Sequence, residues 1–156
     1  MTGAPVVRLL SANELPRLAE LFVYTDFDGM LAEVRRETAR GALDVFVVTE
    51  AARLLGELRV KYESEDPREA VRGRRAYLFA FRVLPSMQGK GLGKLLLART
   101  LARLAEAGYT EFTIGVEDDN PRARHIYEAF GFTRVIARKS ESYQGCSYAY
   151  DLLLKA

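Results

Sequence analysis

The stretch Gln88-Gly89-Lys90-Gly91-Leu92-Gly93-Lys94 constrains this chain more than any other. Before it lies the apolar, aromatic run Tyr77 to Leu84, stopped by Pro85. Such residues pack well on a pleated surface, so the run reads as a strand. After it lies Leu95 to Ala107, rich in leucine and alanine and stopped by Gly108. That segment reads as a helix ended by a residue able to take positive φ. Glycines therefore alternate across a strand-to-helix turn. With no side chains in the way, backbone N–H groups can close on a ligand. At a helix N-terminus those donors lack intrahelical partners and carry partial positive charge. A phosphate or diphosphate suits such a turn; a glycine turn with no ligand is the plain alternative.

Two common phosphate fingerprints fail on the letters. The Walker pattern needs a glycine five places before its Gly-Lys pair and a Ser or Thr after it, where this chain has Gln88 and Leu95. The dinucleotide pattern needs glycine where Lys94 stands. A nucleotide-binding domain of another kind is disfavoured accordingly. What remains is Gln-x-x-Gly-x-Gly.

At 156 residues the chain is expected to form a single domain, 1–156. Its 49% apolar and 28% charged residues are ordinary for a soluble globular protein. The net charge is only +2, with both signs interspersed, which argues against nucleic acid as a partner. Cys146 is the only cysteine, so no internal disulfide forms, and it reads as buried structure. No apolar run approaches the length needed to span a bilayer. Met1 to Pro5 lacks the charged start and apolar stretch of a signal peptide. The expected setting is cytoplasmic, with no membrane partner.

Along the chain, Val6 to Leu10 reads as a first strand. Ser11 and Glu14 form a capping-box pair, and Leu15, Leu18, Leu21 and Phe22 follow at helical spacing, predicting a helix to Thr25 or Asp26 with those four in the core. A second helix is expected from Asp28 or Gly29 to Ala39, stopped by Gly41. Asp44 to Glu50 and Leu54 to Glu63 make a hairpin, and Ser64 to Arg75 an exposed loop. Beyond the glycine turn and its helix, Tyr109 to Val116 is a strand. Asn120-Pro121 then opens a helix, Asn as cap and Pro at the first helical position, with Gly131 ending it. Phe132 to Lys139 and Cys146 to Leu154 are closing strands around a polar loop, Ser140 to Gly145. The order β-α-α-β-β-β-α-β-α-β-β predicts an α/β (α+β) fold, with a mixed, mostly antiparallel central sheet and helices on both faces.

The second informative stretch is Asn120-Pro-Arg-Ala-Arg-His-Ile-Tyr-Glu-Ala-Phe-Gly-Phe132. It is similar to the pattern Asn-x-x-Ala-x-x-x-Tyr-x-x-x-Gly-Phe of the GNAT (Gcn5-related N-acetyltransferase) superfamily. Gln88 to Gly93 resembles that superfamily's acyl-CoA loop, one helix and one strand upstream, as the superfamily fold requires. The resemblance is strong from Leu78 to Phe132. It implies an acetyl-CoA-dependent N-acetyltransferase that moves acetyl directly to a primary amine in a ternary complex. The acceptor is a small molecule or a protein amine. The alternative is a non-catalytic acyl-CoA binding or sensing module on the same fold.

Carried over, the resemblance places the pantetheine arm on the backbone of Phe81, Arg82 and Val83, where the strand splays from its neighbour. It places the diphosphate on the N–H groups of Gln88, Gly89, Lys90, Gly91, Gly93 and Lys94. It brings Asn120 to the cofactor arm and the Tyr127 hydroxyl to the leaving sulfur as an acid. Each has a plainer reading. Asn120 caps a helix, which excludes nothing else. Tyr127 sits on an apolar stripe and can be core. Lys90 and Lys94 can be solvated. His125, the only histidine, falls between apolar positions and reads as surface, and no metal site is expected. Glu117, Asp118 and Asp119 either favour the following helix dipole or draw in a cationic amine.

The base is open. Some superfamily members use a Glu on the strand before the loop, but Tyr77 to Leu84 has no carboxylate. A water chain, Glu57 and Glu117 remain. The amine is expected to be set by the first two helices and the loop Ser140 to Gly145. Asp26, Asp28 and Glu33 either read a positive acceptor or are exposed helix ends. A homodimer is admitted by analogy only.

Overall fold

The computed structural model describes residues 3–143 and 145–156. Met1 and Thr2, part of the stretch read for a leader, and Gln144, part of the expected loop Ser140 to Gly145, lie outside the described residues. Among the described residues seven strands form one sheet in the order β1-β2-β3-β4-β5-β7-β6, defined below. By its contacts the chain divides into two compact units, one running to Val60 and including Ala80–Arg103, the other comprising Lys61–Phe79 and Leu104–Ala156.

In the first unit β1 (Val6–Leu9) lies antiparallel to β2 (Leu43–Glu50), from Val6↔Thr49 to Leu9↔Phe46. β3 (Arg53–Lys61) follows β2 through Ala51 and Ala52, at φ 50° and 69°. Two positive-φ residues are what a tight hairpin with the strand twist demands. Nearly every residue of β2 and β3 is buried, so both faces of these strands are covered. α1 (Phe27–Ala39) is capped by Asp26, which accepts from Gly29 N–H at 3.0 Å, and Gly41 past its end takes φ 74°.

The first expected helix is different. Ala12–Glu20 is a 3₁₀ helix with Pro16 inside it, stopping well short of Thr25. Proline has no N–H to donate and its ring crowds the preceding turn, so the tighter winding replaces an α-helix. Leu15 and Leu18 are buried three apart, as that winding allows. Phe22, expected in the core, stands 40% exposed instead.

β4 (Arg75–Val83) begins two residues before the expected strand and crosses from the second unit into the first. α2 (Leu92–Glu106) starts three residues earlier than expected, so Gly93 and Lys94 belong to its first turn.

In the second unit β4 runs parallel to β5 (Glu111–Glu117) from Arg75↔Glu111 to Leu78↔Ile114. β7 (Cys146–Lys155) is antiparallel to both β5 and β6 (Arg134–Tyr143). α3 (Pro121–Ala129) precedes β6. The expected loop Ser140 to Gly145 is mostly strand: Ser140↔Ala149 through Tyr143↔Cys146 are paired, and Gly145 takes φ 79° in the connection. Cys146, expected to be buried, is exposed near the tip of this hairpin. Among the described residues no helix is long and apolar enough to cross a membrane.

Candidate functional site

The glycine turn is wound by its own backbone. Pro85–Met87 form a 3₁₀ turn, closed by Met87 N–H donating to Leu84 C=O at 2.9 Å. Gln88 N–H reaches Pro85 C=O only at 3.4 Å, while its side-chain amide donates to Val83 C=O at 3.2 Å. Gly89 and Gly91 both take φ 80°, and a Cβ at either would meet nothing within 4 Å. These two glycines are there for conformation, and the space beside them is open. Gly93 differs from both: its φ is not positive, and a Cβ there would make only ordinary contact, 3.6 Å from the Phe81 ring. The first bond of α2 is Leu95 N–H to Gly91 C=O at 3.0 Å. The N–H groups of Leu92, Gly93 and Lys94 precede it, and no acid lies in the first turn. Lys90 and Lys94 are exposed beside them. The result is a cluster of positive backbone dipoles with no internal anion, which a diphosphate fits.

The strand leading into the turn carries a departure that the sequence hides. Ala80 has φ 50° in the middle of β4. A non-glycine residue in that region is strained, and such strain concentrates at functional sites. It lies two residues past the segment Arg75–Leu78 that pairs with β5. On the other edge of β4, Leu84 N–H donates to Leu55 C=O at 2.9 Å, and a Cβ on Gly56 would lie 2.8 Å from Arg82 C=O. Glycine at 56 is therefore required by the close approach of β3 to β4.

In the second unit the Asn120 side chain accepts from Ala123 N–H at 3.1 Å, so its capping role is real. Tyr127 is buried on α3, its ring edge-on to Phe132 at 6.3 Å and 63°. Burial pushes its hydroxyl up to about 12. Pro121 at the first helical position and the turn after α3, where Phe132 N–H donates to Tyr127 C=O at 3.0 Å, fix the helix that presents this tyrosine.

The profile of the acetyltransferase (GNAT) family matches residues 13–132. The chain belongs to the GNAT family. It is 42% identical over 65 residues to the [ribosomal protein bS18]-alanine N-acetyltransferase of Haemophilus influenzae, a match covering 42% of this chain and 44% of that one. It is 33% identical over 107 residues to the mycothiol acetyltransferase of Rhodococcus jostii, covering 67% of this chain and 34% of that one. These matches span less than half the length of either relative. In fold it is similar to spermidine/spermine N-acetyltransferase SpeG from Vibrio cholerae, with TM-score 0.74, 21% identity, and 97% and 93% of the two chains covered. It is likewise similar to yncA from Salmonella typhimurium with its cofactor acetyl-CoA, at TM-score 0.70, 21% identity and the same coverage, 97% and 93%.

Within this GNAT chain the remaining candidates part company. Glu117, at the end of β5, is exposed and paired in register with Tyr150. Beside it Asp118 is held by Arg138 of β6, and Asp151 by Arg138 and Arg124, so Asp118 is engaged within the protein. Glu57 has no exposed surface and lies between two guanidiniums, 3.1 Å from Arg59 Nη2 and 3.2 Å from Arg82 Nε. Burial pushes its carboxyl up, against the pull of Arg59 and Arg82. Asp26 is a helix cap; Asp28, Glu33 and His125 are exposed. Among the described residues no group of three or more His, Cys, Asp or Glu is placed to hold a metal.

Two side-chain groupings escaped the sequence reading. One surrounds Glu57 and joins Tyr24, Arg59 and Arg82: Arg59 Nη2 donates to the Tyr24 hydroxyl at 2.7 Å. The other is in the second unit, where the buried Tyr150 hydroxyl donates to Glu141 at 2.6 Å and the Tyr148 hydroxyl to the same carboxylate at 3.1 Å. Burial raises Tyr77 and Tyr150 well above the usual phenol range. Gly115 makes room for this ring, since a Cβ there would lie 2.8 Å from it. Period-two alternation on β7 was the available signal for Tyr148 and Tyr150 sharing a face. The same alternation puts Glu57 and Arg59 on one face of β3, but nothing comparable links them to Tyr24 or Arg82.

Proposed function

We propose that this chain is an acetyl-CoA-dependent N-acetyltransferase that moves acetyl to a primary amine by direct transfer in a ternary complex. The observation that carries the reading is the turn at Gly89 and Gly91, open and acid-free, with helix donors ahead of their first internal bond, in a chain of the GNAT family. Acetyl-CoA supplies the acetyl group already activated as a thioester. Its diphosphate is held by the N–H groups of Gly89, Lys90, Gly91, Gly93 and Lys94, with Gln88 contributing where its long bond to Pro85 yields. The charges of Lys90 and Lys94 add to that hold. The backbone of Phe81, Arg82 and Val83 receives the pantetheine arm, although Val83 C=O is already engaged by the Gln88 side chain. Asn120 approaches the arm while capping α3.

Tyr127 holds a proton for the leaving sulfur. A hydroxyl raised to about 12 is a weak acid that stays protonated through the neutral range, as that role needs. Of the two candidate bases, Glu117 is exposed, whereas Glu57 has no exposed surface and is engaged by Arg59 and Arg82. Glu117, directly or through water, is therefore the preferred acceptor of the amine proton, and Glu57 is the second choice. A cytoplasmic setting and a possible homodimer complete the proposal.

The test is release of free thiol from acetyl-CoA across a broad panel of small amines, peptides and proteins. Thiol release only when an amine is supplied supports the enzyme. Tight CoA binding with no turnover on any acceptor supports the acyl-CoA sensing module instead.

A further inference from the structure

The grouping around Glu57 carries more charge of one sign than a structural ion pair needs. Arg59 and Arg82 face a single carboxylate, leaving one positive charge in excess. Among the described residues neither oxygen of Glu57 makes a well-aligned hydrogen bond, and Arg59 Nε is buried without an acceptor. A pair built only for the scaffold would match charge for charge and satisfy its donors, because an unpaired buried charge is costly. Burial also disfavours the charged form of Glu57, which enlarges the excess.

Arg82 is the open member. Its side chain is 27% exposed, against 8% for Arg59 and none for Glu57. Its guanidinium lies over the Phe22 ring, 4.2 Å from the centroid, with Tyr24 at 5.8 Å. Phe22 meets Tyr24 edge-on at 5.0 Å, and Tyr24 meets Phe27 at 5.6 Å. Nε of Arg82 is spent on Glu57. Its two terminal nitrogens have no protein acceptor among the described residues. Those nitrogens form the fork that grips a carboxylate end-on through two parallel hydrogen bonds. The plane is set from behind by Glu57 and from one face by Phe22, so the fork is preorganised.

We infer that the terminal nitrogens of Arg82 bind a carboxylate on the acceptor, so that the amine acetylated is a small amino acid-like molecule whose apolar part lies on the exposed ring of Phe22. This rests on the N-acetyltransferase reading and narrows it. A polyamine would meet excess positive charge here, unlike the acceptor named for the Vibrio cholerae structure. A peptide N-terminus lacks the neighbouring carboxylate that the fork requires.

The experiment compares kcat/KM for L-phenylalanine, L-phenylalaninamide, 2-phenylethylamine and spermidine at saturating acetyl-CoA. In parallel, binding of 3-phenylpropionate, which has the carboxylate but no amine, is measured by calorimetry. The acid is expected to exceed its amide and the plain amine by about tenfold or more. R82Q should bring the acid-to-amide ratio to about one and abolish 3-phenylpropionate binding, and R82K should restore part of each. Turnover of the amide or spermidine equal to or above that of the acid overturns the inference and leaves the transferase standing. Absence of turnover with every amine sinks the transferase reading. In that case 3-phenylpropionate binding that is absent, or unchanged in R82Q, overturns the carboxylate site as well. If R82Q does not fold, the wild-type ratio and R82K decide.

Discussion

The glycine turn and the Glu57 grouping both belong to the first unit, yet they are made in opposite ways. The turn is built of backbone. Gly89 and Gly91 adopt φ 80°, and the donors are main-chain groups of consecutive residues. The grouping is built of side chains from Phe22, Tyr24, Glu57, Arg59 and Arg82, brought together by folding. The first kind of site is written in a short window of sequence, because glycine and proline dictate φ locally. The second is written nowhere in particular. The two should also fail differently. Damage to the turn should cost ligand binding and little stability. Damage to the grouping should cost stability first.

The largest expected effect breaks the grouping. Glu57→Ala strands two guanidiniums with no carboxylate and should lower folding stability by about 3–5 kcal/mol in chemical denaturation. A loss below about 1 kcal/mol would mean that the ion pairs are not buried as described. Next comes Tyr127→Phe, expected to lower kcat about a hundredfold with the affinity for acetyl-CoA little changed. Unchanged turnover removes Tyr127 from the acid role. The same variant has a pH signature. Burial raises the Tyr127 pKa to about 12, so its contribution is present below pH ~10 and lost as pH rises through about 12. Tyr127→Phe should flatten part of that alkaline loss in melts taken across pH 9 to ~12.

Gly91→Ala sharpens the contrast from the other side. The added methyl meets nothing within 4 Å but must sit at φ 80°, so the expected cost is only about 1–2 kcal/mol of stability. Acetyl-CoA affinity, measured by calorimetry, should fall by more than that strain accounts for. The smallest effect has the opposite sign. Replacing Ala51-Ala52 with Asn-Gly suits φ 50° and 69° and should stabilise the β2–β3 hairpin by about 1 kcal/mol without changing acetyl-CoA binding.

Much of the fold was legible for the same local reasons. Asn120-Pro121 started α3 and Gly41 followed α1 as expected. The misreadings also have causes. Pro16 stood in the first helix in plain view, and its effect outweighed the apolar spacing that placed Phe22 in the core. Ser140 to Ser142 looked like loop because they are polar, but an exposed hairpin is polar too: Ser142 and Ser147 face each other at 3.1 Å. Polarity separates buried from exposed, not strand from loop. Ala80 gave no signal, since alanine has no preference for positive φ. Tyr127 and Asn120 were singled out through a motif, whereas the pairing of Arg82 with Glu57 needed the register of two strands.

The backbone-held diphosphate can be tested most directly by following the amide resonances of the uniformly ¹⁵N-labelled protein during titration with acetyl-CoA. Binding at the turn predicts the largest shifts at Gly89, Lys90, Gly91, Gly93 and Lys94, and loss of those shifts when acetyl-pantetheine, which lacks the diphosphate, is used instead. Saturable binding of acetyl-CoA that leaves these five amides unmoved would contradict it.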